Sequence, residues 1–162
     1  VSSVPYIFGI VGLLIIPRSS DRLNDRYGHL AVLYVLGAIG LFLSAWLSVP
    51  VLQLAALCLV AFALFSCTAV FWTLPGRFFA GASAAAGIAL INSVGNLGGY
   101  IGPFVIGALK EYTGSLASGL YFLSCVMVFG LVLTGVVYRL LERRHVLPAD
   151  QFAASARGAT RT

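Results

Sequence analysis

Charged residues are scarce in this chain, and that scarcity excludes most soluble proteins. Only 9% of its 162 residues are Asp, Glu, Lys or Arg, whereas 60% are hydrophobic. An average soluble chain is about 25% charged, because polar surface must face water. Lys, Arg, Asp, Glu and His are all absent between Leu30 and Pro75, and again between Phe78 and Leu109. The composition therefore predicts an integral membrane protein, and for the chain as a whole it excludes a soluble enzyme, a disordered protein and a secreted disulfide scaffold.

Cysteine is also rare, and its pattern indicates neither a metal site nor a disulfide framework. Cys58, Cys67 and Cys125 lie inside apolar runs, without CxxC spacing or a nearby His. These positions predict small buried thiols, and no metal or cofactor is expected.

Five long apolar runs predict five transmembrane helices. A bilayer-spanning helix needs about 20 mostly apolar residues, and continuous apolar runs favour helices over a β-barrel. The predicted spans are 4–17, 30–47, 51–74, 84–109 and 116–138. Residues 1–141 are thus predicted to form an all-α transmembrane region, and residues 142–162 a disordered cytoplasmic tail.

The basic residues predict how these helices are oriented. The connections between spans alternate between the two sides of the membrane, and nine of the ten Lys and Arg residues fall on one side. Lys110 is alone on the other side. Because basic residues concentrate in cytoplasmic loops, segments 18–29 and 75–83 and the C-terminus are predicted to be cytoplasmic. This topology accounts for the net charge of +5, and no nucleic-acid partner is expected.

The first connection, 18–29, contains two acidic–basic pairs whose charges can interact within a short turn. They are Asp21-Arg22 and Asp25-Arg26. Considered alone, the segment is a basic topogenic loop that also contains acids. Between two spans, however, Ser-Asp-Arg followed by a second such pair resembles the cytoplasmic loop signature of the major facilitator superfamily. Pro17 and Asn24 stand where that signature usually has glycine. The resemblance implies a role in conformational gating.

A second stretch carries a more specific resemblance. Residues 71–79 read FWTLPGRFF, and residues 84–103 read AAAGIALINSVGNLGGYIGP. They resemble helices ten and eleven of the anion:cation symporters of that superfamily, which are permeases for tartrate, phthalate, sugar acids and related carboxylates. The resemblance implies that the five spans are helices eight to twelve of a twelve-helix proton symporter in the inner or plasma membrane. Its implied partners are the lipid bilayer, a small organic anion with a coupling proton, and an N-terminal half.

That half is expected to be missing, because the chain opens at Val1 inside apolar sequence without an initiator Met or a basic leader. The chain alone is therefore expected to be inactive in transport. The alternative is a small five-span scaffold or assembly subunit. An enzyme is not expected, because no His or Asp lies at membrane depth and neither GxSxG nor HExxH is present.

Two amides in the fourth span are the first candidates for substrate contact. Asn92 and Asn96 are four residues apart and share one helical face, about 12 and 18 Å along the helix from Ala84. An amide buried without a partner costs about 1–3 kcal/mol, so lipid is a poor neighbour. The pair either forms interhelical hydrogen bonds or lines a polar cavity. The family resemblance favours the cavity, and it implies that Trp72 and Asn92 contact the substrate.

Each of the other candidate site residues allows two interpretations. Trp72 is either an aromatic-belt residue or a surface for substrate stacking, and Tyr6 is either a packed tyrosine or a weaker substrate contact. Glycines in the fourth span permit close helix approach, and the proline that follows them predicts a kink, so this region serves as a hinge or as a packing surface. These residues are Gly95, Gly98, Gly99, Gly102 and Pro103.

The middle of each predicted span contains no ionisable residue other than Tyr or Cys. A proton-coupling carboxylate or an anion-binding arginine would stand out at that depth. Both roles are therefore expected in the missing half, with neutral donors and aromatic rings supplied by this chain.

Overall fold

The computed structural model describes residues 3–23, 25–74 and 82–145 of the chain. They form five α-helices, each long and apolar enough to cross a membrane, and no β-strand occurs within these ranges. The helices are α1 (Val4–Leu23), α2 (Arg26–Trp46), α3 (Pro50–Phe71), α4 (Ala82–Thr113) and α5 (Ala117–His145). The predicted all-α membrane fold and the number of helices are confirmed.

All five helices differ from the predicted spans at their ends. α1 passes through Pro17 and ends at Leu23, so the expected connection 18–29 is reduced to a short junction before Arg26. α4 and α5 likewise run beyond their apolar segments, and residues 142–145 of the expected tail are helical. Charged residues mark where a helix leaves the apolar core, but its backbone hydrogen bonds continue without the membrane. The rest of the expected tail, 146–162, lies outside the described residues.

The third helix instead ends earlier than predicted. α3 ends at Phe71, and residues 72–74 form a turn. In this turn Thr73 and Leu74 donate backbone hydrogen bonds to carbonyls three residues back. Such bonds satisfy carbonyls that the last helical turn leaves open. Of the predicted connection 75–83, residues 75–81 lie outside the described residues, and residues 82 and 83 belong to α4.

The helices pack in the order α1, α3, α2, α5, α4, so α3 and α2 are central. α3 lies between α1 and α2, and α2 also packs against α5. Leu30, Leu33 and Val70 form the buried core where α2 meets α3. α4 contacts α5, and no described side chain of α4 is buried. The arrangement leaves α4 at one edge with most of its surface uncovered.

Glycines allow the close approach of α1 and α2 to α3. A Cβ at Gly12 would lie 2.8 Å from the backbone carbonyl oxygen of Phe62, and one at Gly40 would lie 2.7 Å from a methyl of Val60. Side chains at these positions would force the helices apart. These glycines were not among the packing positions predicted from the sequence.

The three cysteines are free, but they are not all buried. Cys58 is buried, Cys67 is half-buried and Cys125 is exposed. The prediction of buried thiols is therefore wrong for Cys125, which lies on a face of α5 that no described helix covers.

Candidate functional site

Arg26, the first residue of α2, joins three helices at one end of the bundle. Its guanidinium donates to Oδ1 of Asp21 in α1 at 2.8 Å and to the Thr73 backbone carbonyl beyond α3 at 3.2 Å. The Arg26 side chain is 14% exposed, whereas that of Asp21 is 56% exposed. A guanidinium has five donors, and carbonyls at a helix C-terminus carry partial negative charge. We refer to Asp21, Arg26 and the Thr73 carbonyl as the three-helix clamp.

Asp25 is the N-cap residue that directly precedes α2, and it is adjacent in sequence to Arg26 of the clamp. Its Oδ1 accepts a hydrogen bond from the Gly28 backbone N–H at 2.8 Å, which is a helix N-cap. Its own carbonyl accepts from Nδ1 of His29, and the hydroxyl of buried Ser20 lies 3.5 Å from the same carbonyl. Because a carbonyl can only accept, Nδ1 carries the imidazole proton, while Nε2 faces the Ser19 hydroxyl at 3.3 Å. The junction between α1 and α2 is thus held by local hydrogen bonds.

The predicted pairing of neighbouring charges is wrong. The structure pairs Asp21 with Arg26 rather than with Arg22. α1 continues through this segment, and adjacent helical residues do not face each other. Asp25 caps α2 and makes no ion pair with Arg26. The charged residues of this segment were evident in the sequence, but which of them form an ion pair depends on where α1 ends and α2 begins.

The two aromatic candidates both have accessible rings. Trp72 follows the last residue of α3 and donates its backbone N–H to the Thr68 carbonyl at 3.1 Å. Its ring is 42% exposed and contacts Phe71 edge-on. Tyr6 is 61% exposed, and its ring packs edge-on against Phe65 at a centroid distance of 6.2 Å. Substrate contact at either ring stays a prediction.

The two amides lie exposed on α4. Among the described residues, no side-chain hydrogen bond joins Asn92 or Asn96 to another group. α4 packs on α5 where Ile106 meets Gly119, several turns away from both amides. The shared amide face is therefore open, as either a polar cavity or an interface with another helix requires.

The glycines of α4 are equally uncovered. A Cβ built at any of the four predicted packing positions meets nothing within 4 Å, and the proline lies inside a continuous helix. These residues are Gly95, Gly98, Gly99, Gly102 and Pro103. Close packing and hinge motion at this stripe stay predictions, since the helices described here leave it open.

The main packing contacts of the described helices do not join the helix before Trp72 to the helix that carries Asn92. α3 packs against α1 and α2, whereas α4 is beside α5. Of the predicted site residues, the structure joins Asp21 and Arg26 by an ion pair, and the Thr73 carbonyl that completes the clamp had no signal in the sequence. Arg26 itself was predicted, because it belongs to the second acidic–basic pair of the 18–29 segment.

Three curated relatives are transporters. A quinolone resistance transporter from Acinetobacter baumannii is 77% identical over 143 residues, which are 88% of this chain and 33% of that protein. A putative tartrate transporter from Agrobacterium vitis is 38% identical over 139 residues, 86% of this chain and 31% of the relative. The inner membrane transport protein RhmT from Escherichia coli (strain K12) is 33% identical over 150 residues, which are 93% of this chain and 34% of that protein.

The chain thus spans about a third of the length of these relatives. No protein-family model and no solved structure matches it.

Proposed function

We propose a transport function for this chain, which is homologous over most of its length to membrane transporters of the major facilitator type. In this proposal it supplies one wall of the pathway by which an organic carboxylate crosses the inner or plasma membrane. The observation that carries the proposal is the open amide face of α4, where Asn92 and Asn96 lie in a mostly apolar, glycine-rich part of the helix. The named relatives are transporters, so we infer no enzymatic step.

The names of the relatives support a carboxylate as the shared chemical feature. Tartrate is a dicarboxylate, and quinolone drugs are aromatic carboxylic acids. A neutral amide can donate to a carboxylate or hydroxyl without the desolvation cost of a second buried charge. An exposed indole such as Trp72 can cover the apolar face of an aromatic substrate.

The proposal requires further helices. Proton symport needs a group that titrates at membrane depth, and none of Asp, Glu or His lies between Leu30 and Leu109. We therefore assign proton coupling and charge neutralisation of the anion to other parts of a longer transporter, which also cover α4. The chain alone is then expected not to transport.

Asn92→Ala in the full-length transporter tests this function. Loss of one hydrogen bond to a charged group costs about 1.5–3 kcal/mol, so substrate binding should weaken roughly ten- to a hundredfold. Binding of tartrate and of a quinolone to the purified, reconstituted transporter measures the effect. Asn96→Ala, one turn further along the same face, is the matched control and should have a smaller effect.

Unchanged binding of both compounds to a correctly folded Asn92→Ala transporter would contradict the proposed site. A wild-type transporter that binds neither compound would contradict the substrate class.

A further inference from the structure

Two arginines near the end of α1 have no acidic partner in the described part of the chain. Arg18 and Arg22 are four residues apart and exposed. The ion pair observed there joins Asp21 to Arg26 instead. The Arg18 guanidinium donates to the Leu14 carbonyl of its own helix, which leaves most of its five donors unused. Two positive charges are therefore available on one face of a membrane-spanning helix.

These arginines form one end of a groove of about 420 Å³ on α1. Its lining residues are Leu14, Ile15, Arg18, Ser19, Arg22 and Leu23. Leu14 and Ile15 lie about one turn closer to the apolar middle of α1 than Arg18 does, and both are exposed. The groove is thus apolar towards the membrane core and cationic towards the membrane surface. A phospholipid has the same order, with acyl chains below a phosphate.

We propose that this groove binds an anionic glycerophospholipid, with its phosphate on Arg18 and Arg22 and an acyl chain along Leu14 and Ile15. Guanidinium groups bind phosphate oxygens through paired hydrogen bonds. The groove offers no carboxylate to a choline or ethanolamine ammonium, because Asp21 belongs to the three-helix clamp. A lipid with net negative charge is therefore favoured over a zwitterionic one. This inference requires membrane insertion and does not rest on the transported substrate.

Lipid titration followed by native mass spectrometry tests the site. The chain is purified in mild detergent, and phosphatidylglycerol or phosphatidylcholine is added. Wild type should bind phosphatidylglycerol more tightly. A basic residue near an anionic surface contributes about fivefold in affinity. Arg18→Gln and Arg22→Gln should therefore each weaken the binding of phosphatidylglycerol about fivefold, and the double variant about 25-fold. Affinity for phosphatidylcholine should stay unchanged.

Two variants separate a built site from general surface charge. Arg22→Lys keeps the charge but loses the paired guanidinium hydrogen bonds, so it should weaken phosphatidylglycerol binding, though less than Arg22→Gln does. Arg139→Gln removes one exposed charge near the end of α5, outside the groove, and should keep wild-type binding. An equal loss in Arg139→Gln, or no preference of wild type for phosphatidylglycerol, would overturn the proposal.

Two further measurements identify the occupant. Displacement of phosphatidylglycerol by equal concentrations of soluble glycerol phosphate would overturn the lipid assignment in favour of a free phosphate site. Loss of the lipid preference in the full-length transporter would show that another protein segment covers the groove, and would also overturn it. Because the readout is lipid binding, such results leave the transport proposal unaffected.

Discussion

Gly12→Ala is expected to loosen the packing of α1 on α3, although alanine favours a helix. The new Cβ would lie 2.4 Å from the Ser66 hydroxyl and 2.8 Å from the Phe62 carbonyl oxygen. Ser66 can rotate away only by losing its 2.6 Å hydrogen bond to that carbonyl, worth about 0.5–1.5 kcal/mol. The carbonyl itself belongs to the α3 backbone and cannot move alone. Overpacking costs about 1–3 kcal/mol against a helix gain of about 0.5–1, so the middle of each range gives a net loss of about 1 kcal/mol.

Gly95→Ala is the matched control, because a Cβ at Gly95 meets nothing within 4 Å. It should stabilise the isolated chain by about 0.5–1 kcal/mol. Unfolding by sodium dodecyl sulfate in mild detergent, followed by circular dichroism, measures both free energies. Adding Ser66→Ala to Gly12→Ala removes the closest contact and should recover part of the loss. Equal stability of Gly12→Ala and Gly95→Ala would refute the close contact between α1 and α3.

Three other outcomes are expected. Asp21→Asn in the full-length transporter breaks the ion pair of the three-helix clamp. It should slow transport while equilibrium substrate affinity stays nearly intact. A large loss of affinity with an unchanged rate of conformational exchange would contradict a gating role. Ser124→Ala removes the 2.9 Å hydrogen bond to the Ala38 carbonyl that joins α5 to α2. It should lower the free energy of unfolding by about 0.6 kcal/mol in the same assay. A gain in stability would be inconsistent with that bond. A cysteine placed at Thr113 should react with reagent added outside cells, and one at Ala153 only after permeabilisation; the reverse pattern would invert the proposed topology.

Much of the fold could be predicted because membrane insertion depends on local composition. In lipid each helix must satisfy its own backbone hydrogen bonds, so every long apolar run becomes a helix whatever surrounds it. The family resemblance at residues 71–79 and 84–103 was likewise local, and the transporter relatives agree with it. Helix ends were less predictable, since the charged residues after Pro17 and the tail residues 142–145 continue helices whose apolar part has already ended.

The candidate site was predictable only in part, for the same reason. That Asn92 and Asn96 share a face follows from their spacing, but whether substrate or protein covers that face depends on other helices. Trp72 and Asn92 are joined by the resemblance, while the described packing places α3 and α4 on different neighbours. Substrate contact at these residues therefore stays a prediction.

Composition and hydropathy were enough to predict a membrane protein with five helices, and they also predicted which charged residues lie near the helix ends. Hydrophobic length and the scarcity of charge decide these features within each segment. The packing of the helices was needed to show that Arg26 pairs with Asp21 and the Thr73 carbonyl, and that Gly12 and Gly40 are packed while Gly95 is open. Such contacts depend on which helix faces are covered, and that is a property of several segments together.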